Sequence, residues 1–130
     1  MIYTHDYDTG YAFGPALPIV ELTISSIDGT HDNEDMRALI DSGADATIIP
    51  LNILSSIDAD KVGRAQMRWG SHHSRSYDVY LVMLRIGPFQ IRGVRVLADK
   101  FGNEIILGRN ALNQLIVTLN GLANVVEISQ

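Results

Sequence analysis

The chain has 130 residues, of which 46% are hydrophobic and 19% charged, and its formal net charge is −5. This length suffices for one core, so we predict a single domain over residues 1–130. The composition argues against long disordered segments, and the absence of a basic run argues against nucleic-acid binding. No cysteine is present, which excludes a disulfide framework, a thiolate nucleophile and a zinc–thiolate site.

Neither a membrane span nor a signal peptide is apparent. No stretch approaches the roughly 20 consecutive apolar residues that a transmembrane helix needs. The N-terminal MIYTHDYDTGYAFG lacks the basic start and apolar centre of a signal peptide. We therefore expect a soluble domain without a membrane segment; the compartment is left open, with the cytoplasm favoured.

Strand patterns dominate the chain. On the first predicted strand, Val20, Leu22 and Ile24 alternate with polar residues, as expected for a half-buried strand. Strands are predicted at 18–27, 36–40, 47–49, 62–69, 77–86, 89–91, 94–97, 105–107, 115–119 and 125–128. We expect a polar loop at 30–35, a turn at Arg92-Gly93, a helical turn or two at 51–57 and one short C-terminal helix at 109–115. The sum is an all-β, barrel-like domain.

The longest predicted hairpin spans residues 62–86, with its tip at Gly70–Ser74. Near that tip, Trp69 and Tyr77 have two open interpretations: they line a pocket, or they pack across the two strands. The tip histidines lack further ligands at short spacing. We therefore predict no metal site.

Asp41 directly follows the apolar run Ala38-Leu39-Ile40 and precedes Ser42 and Gly43. Ser42 is able to hydrogen-bond locally, and Gly43 lets another backbone approach closely. A single carboxylate does not supply both a general acid and a general base. If two copies met at this turn, their carboxylates would share one proton, because like charges that close do not both ionise at low cost. The alternative is that Asp-Ser-Gly is a common turn tripeptide with no chemical role.

Two motifs carry a resemblance to a known family. The segment Leu39-Ile40-Asp41-Ser42-Gly43-Ala44-Asp45-Ala46-Thr47-Ile48-Ile49 resembles the active-site segment of retropepsins, the retroviral-type aspartic proteases. The segment Ile105-Ile106-Leu107-Gly108-Arg109-Asn110, followed by Leu112, resembles their Gly-Arg-(Asn/Asp) segment. The hairpin at 62–86 lies between the two motifs, where that family has its flap. The resemblance runs from about Pro18 to Asn120, in the family's order.

The resemblance implies a retropepsin-like closed β-barrel, the acid protease fold, with a flap hairpin. It also implies an aspartic endopeptidase that acts on a polypeptide substrate as a homodimer, with Asp41 from each subunit activating a water and with no cofactor. We expect activity to follow a bell-shaped pH profile on the acid side of neutral, because such a dyad works singly protonated.

Roles follow residue by residue from the same resemblance. Asp41 is the predicted catalytic residue. The residues predicted to support the active-site loop are Ser42, Gly43, Thr47, Arg109 and Asn110. Those predicted to bind substrate are Gly43, Ala44, Asp45, Ala46, Trp69, Gly70 and Ser71. Asp45 is expected to pair with Arg109; its alternative interpretation is a surface acid beside a turn.

Parts of the chain depart from the viral enzymes. Residues 1–13, predicted to be an N-terminal extension, and residues 121–130 have no clear counterpart in them. We therefore expect a differently built dimer interface, for which the hairpin at Leu115–Ile128 is the candidate. The flap tip has one glycine and looks more like that of stand-alone bacterial or cellular relatives. Asp8-Thr9-Gly10 follows no buried strand, so we predict a turn there and not a second active site.

A different class of function stays open at this stage. The same fold serves equally as a catalytically weak or inactive dimeric module for binding or scaffolding. Nothing in the Asp41 motif is degenerate, which favours the protease.

Overall fold

The computed structural model describes residues 1–69 and 73–130. The elements in chain order are β1 (Tyr3–Asp6), β2 (Ile19–Ser25), β3 (Asp32–Ile40), β4 (Thr47–Pro50), α1 (Leu51–Ser56), β5 (Asp60–Trp69), β6 (His73–Ile86), β7 (Phe89–Asp99), β8 (Ile105–Leu107), α2 (Arg109–Leu112), β9 (Ile116–Asn120) and β10 (Val125–Ser129). Strands thus make up most of the described chain, as the sequence predicts.

Six strands close into a barrel in the order β2-β3-β8-β4-β7-β6, and a pairing between β2 and β6 completes the ring. Closure leaves these strands without the free edges at which sheets aggregate. β5 pairs with β6 on the outside and extends it into the long hairpin. The predicted all-β closed barrel is confirmed.

Alternate side chains of the strands fill the barrel. Val20, Leu22 and Ile24 of β2 are buried, as their spacing predicts. Each such side chain contributes roughly 1.5–3 kcal/mol relative to an exposed one. The largest fully buried side chains also include Ile49, Leu54, Ile57, Leu84, Ile86, Ile91, Leu107 and Ile128.

Strand direction brings the two sequence motifs together. β3 and β8 are parallel, with Ala38 opposite Ile105 and Ile40 opposite Leu107. Parallel strands end at the same edge of a sheet, so the turn after β3 and the segment after β8 lie side by side. Asp41 and Gly108, the first residues beyond these two strands, therefore become neighbours.

Two predicted breaks are instead parts of strands. β3 begins at Asp32, so the predicted loop at 30–35 was wrong for most of its length; Asp35 adopts a φ of 58° beside a shift in the β2–β3 register. β7 likewise passes through the predicted turn at Arg92-Gly93 without ending. Gly93 has a φ of 69°, and the β6–β7 register shifts nearby, as at a bulge.

Both helices are short. The predicted helical turns at 51–57 form α1, so the chain has a second short helix besides the predicted C-terminal one. α2 ends at Leu112, earlier than predicted, because Gln114 and Leu115 continue in tighter turns that bond three residues back. In the described ranges, no helix is long and apolar enough to cross a membrane.

The two ends of the chain form a second sheet, the terminal sheet, in the order β1-β10-β9. β1 lies within residues 1–13, where the sequence predicts an N-terminal extension and no strand. Beyond β1, residues 8–17 form the N-terminal loop, closed by paired hydrogen bonds between the backbones of Asp8 and Leu17. At its start, Gly10 donates its N–H to the Asp8 carboxylate at 3.0 Å, forming the predicted turn.

Candidate active site

Asp41 lies at the mouth of a tight turn at the end of β3. Its backbone N–H donates to the carbonyl of Leu107 at 3.0 Å, which fixes the turn to β8. The N–H of Gly43 donates to Asp41 Oδ1 at 3.0 Å. A Cβ at position 43 would lie 3.2 Å from that oxygen, so glycine suits the close approach. The partly exposed carboxylate is therefore held in a defined orientation.

Thr47 and Asn110 support this turn from behind. Thr47 is fully buried; its hydroxyl donates to Asn110 Oδ1 at 2.8 Å and accepts the N–H of Gly108 at 3.1 Å. The N–H of Thr47 also donates to Asn110 Oδ1, at 3.0 Å. Asn110 Nδ2 in turn donates to the carbonyl of Arg95 on β7 at 2.7 Å. One network, buried at Thr47 and Gly108 and reaching the surface at Arg95, therefore links β4, β7 and the start of α2.

Gly108 permits a backbone-to-backbone contact in this site. A Cβ on Gly108 would collide with the backbone of Ala46 and lie 3.0 Å from the carbonyl oxygen of Ala44. The next residue, Arg109, donates its N–H to the same Ala44 carbonyl at 2.9 Å. Gly108 is not among the site residues predicted from sequence, although a glycine that stops an apolar strand is a signal for it.

Arg109 spans the Asp41 turn. Its guanidinium donates to the carbonyl of Ser42 at 2.8 Å and forms an ion pair with Asp45. The Arg109 and Asp45 side chains are 43% and 71% exposed. A pair so exposed to water adds little to the free energy of unfolding. The contact fixes the direction of the turn between Ser42 and Asp45.

An apolar cluster flanks the turn on the outside of the barrel; we call it the apolar shelf. Its buried members are Ile48, Val79 and Leu97. Packed against them are the partly buried Ala46, Ala65, Met67, Tyr77 and Ile106. Tyr77 faces Ala65 across the β5–β6 hairpin and also lines a cavity, so both interpretations of this side chain apply. The shelf thus runs from the Asp41 turn to the hairpin and was not predicted as a unit.

Some predicted site residues fall outside the described chain. Gly70 and Ser71, predicted to bind substrate at the hairpin tip, lie there together with His72 and the side chain of Trp69. The other predicted residues, which come from the two motifs, are all placed around the Asp41 turn. In residues 1–69 and 73–130, no group of three or more histidine or acidic side chains is arranged to hold a metal ion.

A protein-family model described as gag-polyprotein putative aspartyl protease matches residues 27–114. This span covers most of the chain and includes both the Asp41 turn and the Gly108–Asn110 segment. The chain belongs to this family. As a member of the gag-polyprotein putative aspartyl protease family, it has its motif aspartate at the end of β3 and its Gly-Arg-Asn segment at the start of α2.

Solved structures share the fold of this family member. A retropepsin-like aspartic protease from Rickettsia conorii covers 98% of this chain and 91% of its own, with 7% identity and a TM-score of 0.64. The EIAV protease in complex with the inhibitor HBY-793 covers 80% of this chain and 91% of its own, with 19% identity and a TM-score of 0.54. Such identities establish the fold alone.

A third match is the foamy viral protease–reverse transcriptase in complex with an RNA/DNA hybrid, at 18% identity and a TM-score of 0.51. The match covers 75% of this chain but spans only 12% of that longer protein. Among curated protein sequences, none matches the chain. The family and the fold together confirm the predicted resemblance to retropepsin-like aspartic proteases.

Proposed function

We propose that this family member is an aspartic endopeptidase whose active site is completed by a second copy of the chain. The observation that carries the proposal is the support of Asp41: its carboxylate is oriented by Gly43, and its turn is fixed from behind by the Thr47–Asn110 network. An oriented, partly exposed carboxylate on a rigid element is what a catalytic group requires.

The second copy is required by the chemistry. Only Asp41 combines the Asp-Ser-Gly tripeptide with a buried strand before it; Asp8-Thr9-Gly10 belongs to the N-terminal loop, where Asp8 is committed to Arg37. A lone carboxylate does not act as general acid and general base in the same step. Two Asp41 carboxylates on a two-fold axis would share one proton and hold one water between them.

The proposed reaction proceeds without a covalent intermediate. The ionised carboxylate takes a proton from the bound water as the water oxygen attacks the scissile carbonyl carbon. The protonated carboxyl of the other subunit donates its hydrogen bond to the carbonyl oxygen, which stabilises the developing negative charge. A proton then passes from the first carboxyl to the leaving nitrogen, and the C–N bond breaks to give an acid and an amine.

The residues around Asp41 suit an extended peptide. Asp45 is mostly exposed beyond its contact with Arg109, so its carboxylate is available to accept a substrate N–H. The apolar shelf, which begins at Ala46, suits an apolar substrate side chain. Gly43 would offer its backbone carbonyl beside the scissile bond, whereas the backbone groups of Ala44 are already bonded to Asp41 and Arg109. Ser42 is exposed, and we propose that its hydroxyl links the two turns across the interface.

The β9 edge of the terminal sheet is the proposed contact between the copies. β9 pairs with β10 on one side only, so its other side presents unpaired backbone groups. Ile116 on this strand is 62% exposed, and Leu119 is exposed as well. Two β9 strands meeting edge to edge would satisfy these groups and bury the apolar side chains. This interface agrees with the sequence-based candidate at Leu115–Ile128.

The test compares two aspartates. Asp41→Asn is expected to abolish cleavage of a peptide library, a loss of at least about 1000-fold in kcat/KM, with unchanged circular dichroism. The control Asp58→Asn changes an exposed turn residue with a φ of 52°, a conformation that asparagine tolerates, and should retain full activity. Cleavage by the Asp41→Asn variant would refute the assignment.

The same library separates the protease from a binding or scaffold module. The protease should cleave with a bell-shaped pH profile on the acid side of neutral and should be inhibited by a statine-type transition-state mimic. A module without catalytic power would cleave no peptide between acidic and neutral pH. A rate that still rises above neutrality would contradict a carboxylate dyad.

A further inference from the structure

A cavity of about 290 Å³, which we call the side pocket, lies on the outer face of β3. The N-terminal loop forms one wall through Asp8 and Leu17. Arg37 and Leu39 of β3 form the floor, and Glu104, in the segment before β8, forms the opposite wall. Leu39 and Ile105, the first residues of the two sequence motifs, line this pocket, whereas its other walls lie outside both motifs.

The side pocket opens on the face of β3 that carries the active-site aspartate. Ala38 and Ile40 point into the barrel and are buried, so Arg37 and Leu39 point outward. Asp41 follows in the same alternation. Side chains two residues apart on one face of a strand are about 7 Å from each other. A peptide lying over Asp41 would therefore pass within reach of the pocket.

The N-terminal loop is fixed to β3 at this position. The guanidinium of Arg37 donates to Asp8 Oδ2 at 2.7 Å. The N–H of Ile40 donates to the carbonyl of Pro18, which directly follows the loop, at 3.0 Å. The hydrogen bond from Arg37 lowers the pKa of the Asp8 carboxyl, so the pair stays ionised. The wall is thus part of the folded domain.

The charges in the pocket do not cancel. Asp8 and Arg37 neutralise each other through their contact. Glu104 is exposed, and in the part of the chain that the structure describes it forms no hydrogen bond or ion pair. Leu17 and Leu39 supply apolar surface beneath it. The side pocket therefore combines an apolar floor with one uncompensated negative charge at its rim.

We propose that the side pocket is a substrate subsite that selects a lysine or arginine near the scissile bond. The aliphatic stem of such a side chain would lie on Leu39 and Leu17, and its cationic end would reach the Glu104 carboxylate. An acidic side chain fits less well, because Arg37, the cation among the described residues that line the pocket, is already paired with Asp8. The proposal rests on the proposed protease function and adds a specificity to it.

The experiment uses pairs of peptides that differ at one position next to a cleaved bond, lysine in one and its neutral near-isostere methionine in the other. The wild-type protein should cleave the lysine peptide roughly 5- to 10-fold faster in kcat/KM, the scale of a partly screened ion pair. Glu104→Gln should bring the ratio of the two rates to about 1, and Glu104→Lys should invert it. Glu127→Gln, on β10 and outside the pocket, should keep the wild-type ratio.

Two outcomes overturn the inference while leaving the protease intact: wild-type protein that cleaves both peptides equally, or a lysine preference that survives in the Glu104 variants. Failure of the protease function has a different signature, since no peptide of any sequence would then be cleaved. Binding of the same peptides to the inactive Asp41→Asn variant, followed by fluorescence anisotropy, tests the pocket in that case as well. Equal affinity for the lysine and methionine peptides there would also refute the subsite.

Discussion

At the scale of single residues, the site depends on polar groups that are buried and paired. Thr47 is inaccessible to solvent, yet its hydroxyl both donates and accepts a hydrogen bond, to Asn110 and from Gly108. An unpaired polar group in such a place costs more free energy than its bond contributes when formed. In the described chain, every buried side-chain nitrogen and oxygen has a partner. The support of the Asp41 turn is therefore complete.

The first residue-scale prediction concerns Thr47→Val, which keeps the side-chain shape and removes the hydroxyl. The N–H of Gly108 would lose its acceptor in a buried position, and Asn110 would lose one donor. We expect the free energy of unfolding to fall by about 1–3 kcal/mol, measured by chemical denaturation. Cleavage should weaken as well, because the turn that orients Asp41 is no longer fixed.

Thr4→Val provides the matched control for this substitution. Thr4 lies on the exposed face of β1, and the same loss of a hydroxyl there should change the free energy of unfolding by less than about 0.5 kcal/mol. Equal effects of the two substitutions would show that the Thr47 network does not support the site.

At the scale of elements, the turn between β2 and β3 is held by a carboxylate. The Ser26 hydroxyl donates to Asp28 Oδ1 at 2.7 Å, and the N–H and hydroxyl of Thr30 donate to the same oxygen at 3.0 and 2.8 Å. These bonds, that of Ser26 first, lower the pKa of Asp28 from its ordinary 3.8 to about 2. Folding therefore favours the ionised form of this side chain.

The pH dependence of stability follows from this shift. Because the folded-state pKa is depressed, the stabilisation by Asp28 is fully present above about pH 3.8 and is lost as the pH falls toward 2. Asp28→Asn should lower the denaturation midpoint at pH 7. The difference in midpoint between this variant and the wild type should be smaller at pH 2.5. The control is Asp58→Asn, because the Asp58 side chain accepts no hydrogen bond from the described residues. Its denaturation midpoint should equal that of the wild type at both pH values. If the difference in midpoint between Asp28→Asn and the wild type is the same at pH 7 and pH 2.5, ionisation of Asp28 is not the cause of the stabilisation.

At the scale of the whole molecule, the barrel and the terminal sheet differ in their edges. Closure between β2 and β6 satisfies the barrel strands, whereas β9 retains a free side. β1 pairs with β10 of the same chain, so each terminal sheet is assembled within one copy. Association through β9 would add contacts without exchanging strands, which suits a reversible dimer.

A dilution series tests whether the active site needs two copies of the chain. Specific activity should fall as the protein is diluted into the range where sedimentation shows monomers, because the half-site lacks its second Asp41. Ile116→Lys should raise the dimer dissociation constant by at least about 10-fold, since it places two like charges at a symmetric contact. Ile27→Lys, on the β2–β3 turn, is the control and should leave the constant unchanged. Full specific activity in a demonstrably monomeric sample would refute the two-copy site.

Features that depend on near neighbours along the chain were predictable from the residues alone. The alternation of Val20, Leu22 and Ile24 identifies β2 because a strand has a period of two. The apolar run before Asp41 and the small residues after it identify a turn at the end of a buried strand. Together with the segment after β8, they also indicate the family. A local pattern is enough for each of these features.

Tertiary structure alone decided the contacts between distant parts of the chain. Thr47 and Asn110 are 63 residues apart, and they meet because β4 and β8 run antiparallel, which places the start of β4 beside the end of β8. The N-terminal loop and Glu104 line the same side pocket although they are far apart in the sequence. No local sequence pattern predicts this proximity. The sequence likewise did not predict that β7 continues through Gly93, because a glycine with positive φ occurs in bulges as well as in turns. Strand order and barrel closure are properties of the whole chain. Because they decide which residues surround Asp41, these neighbours are known only from the tertiary structure.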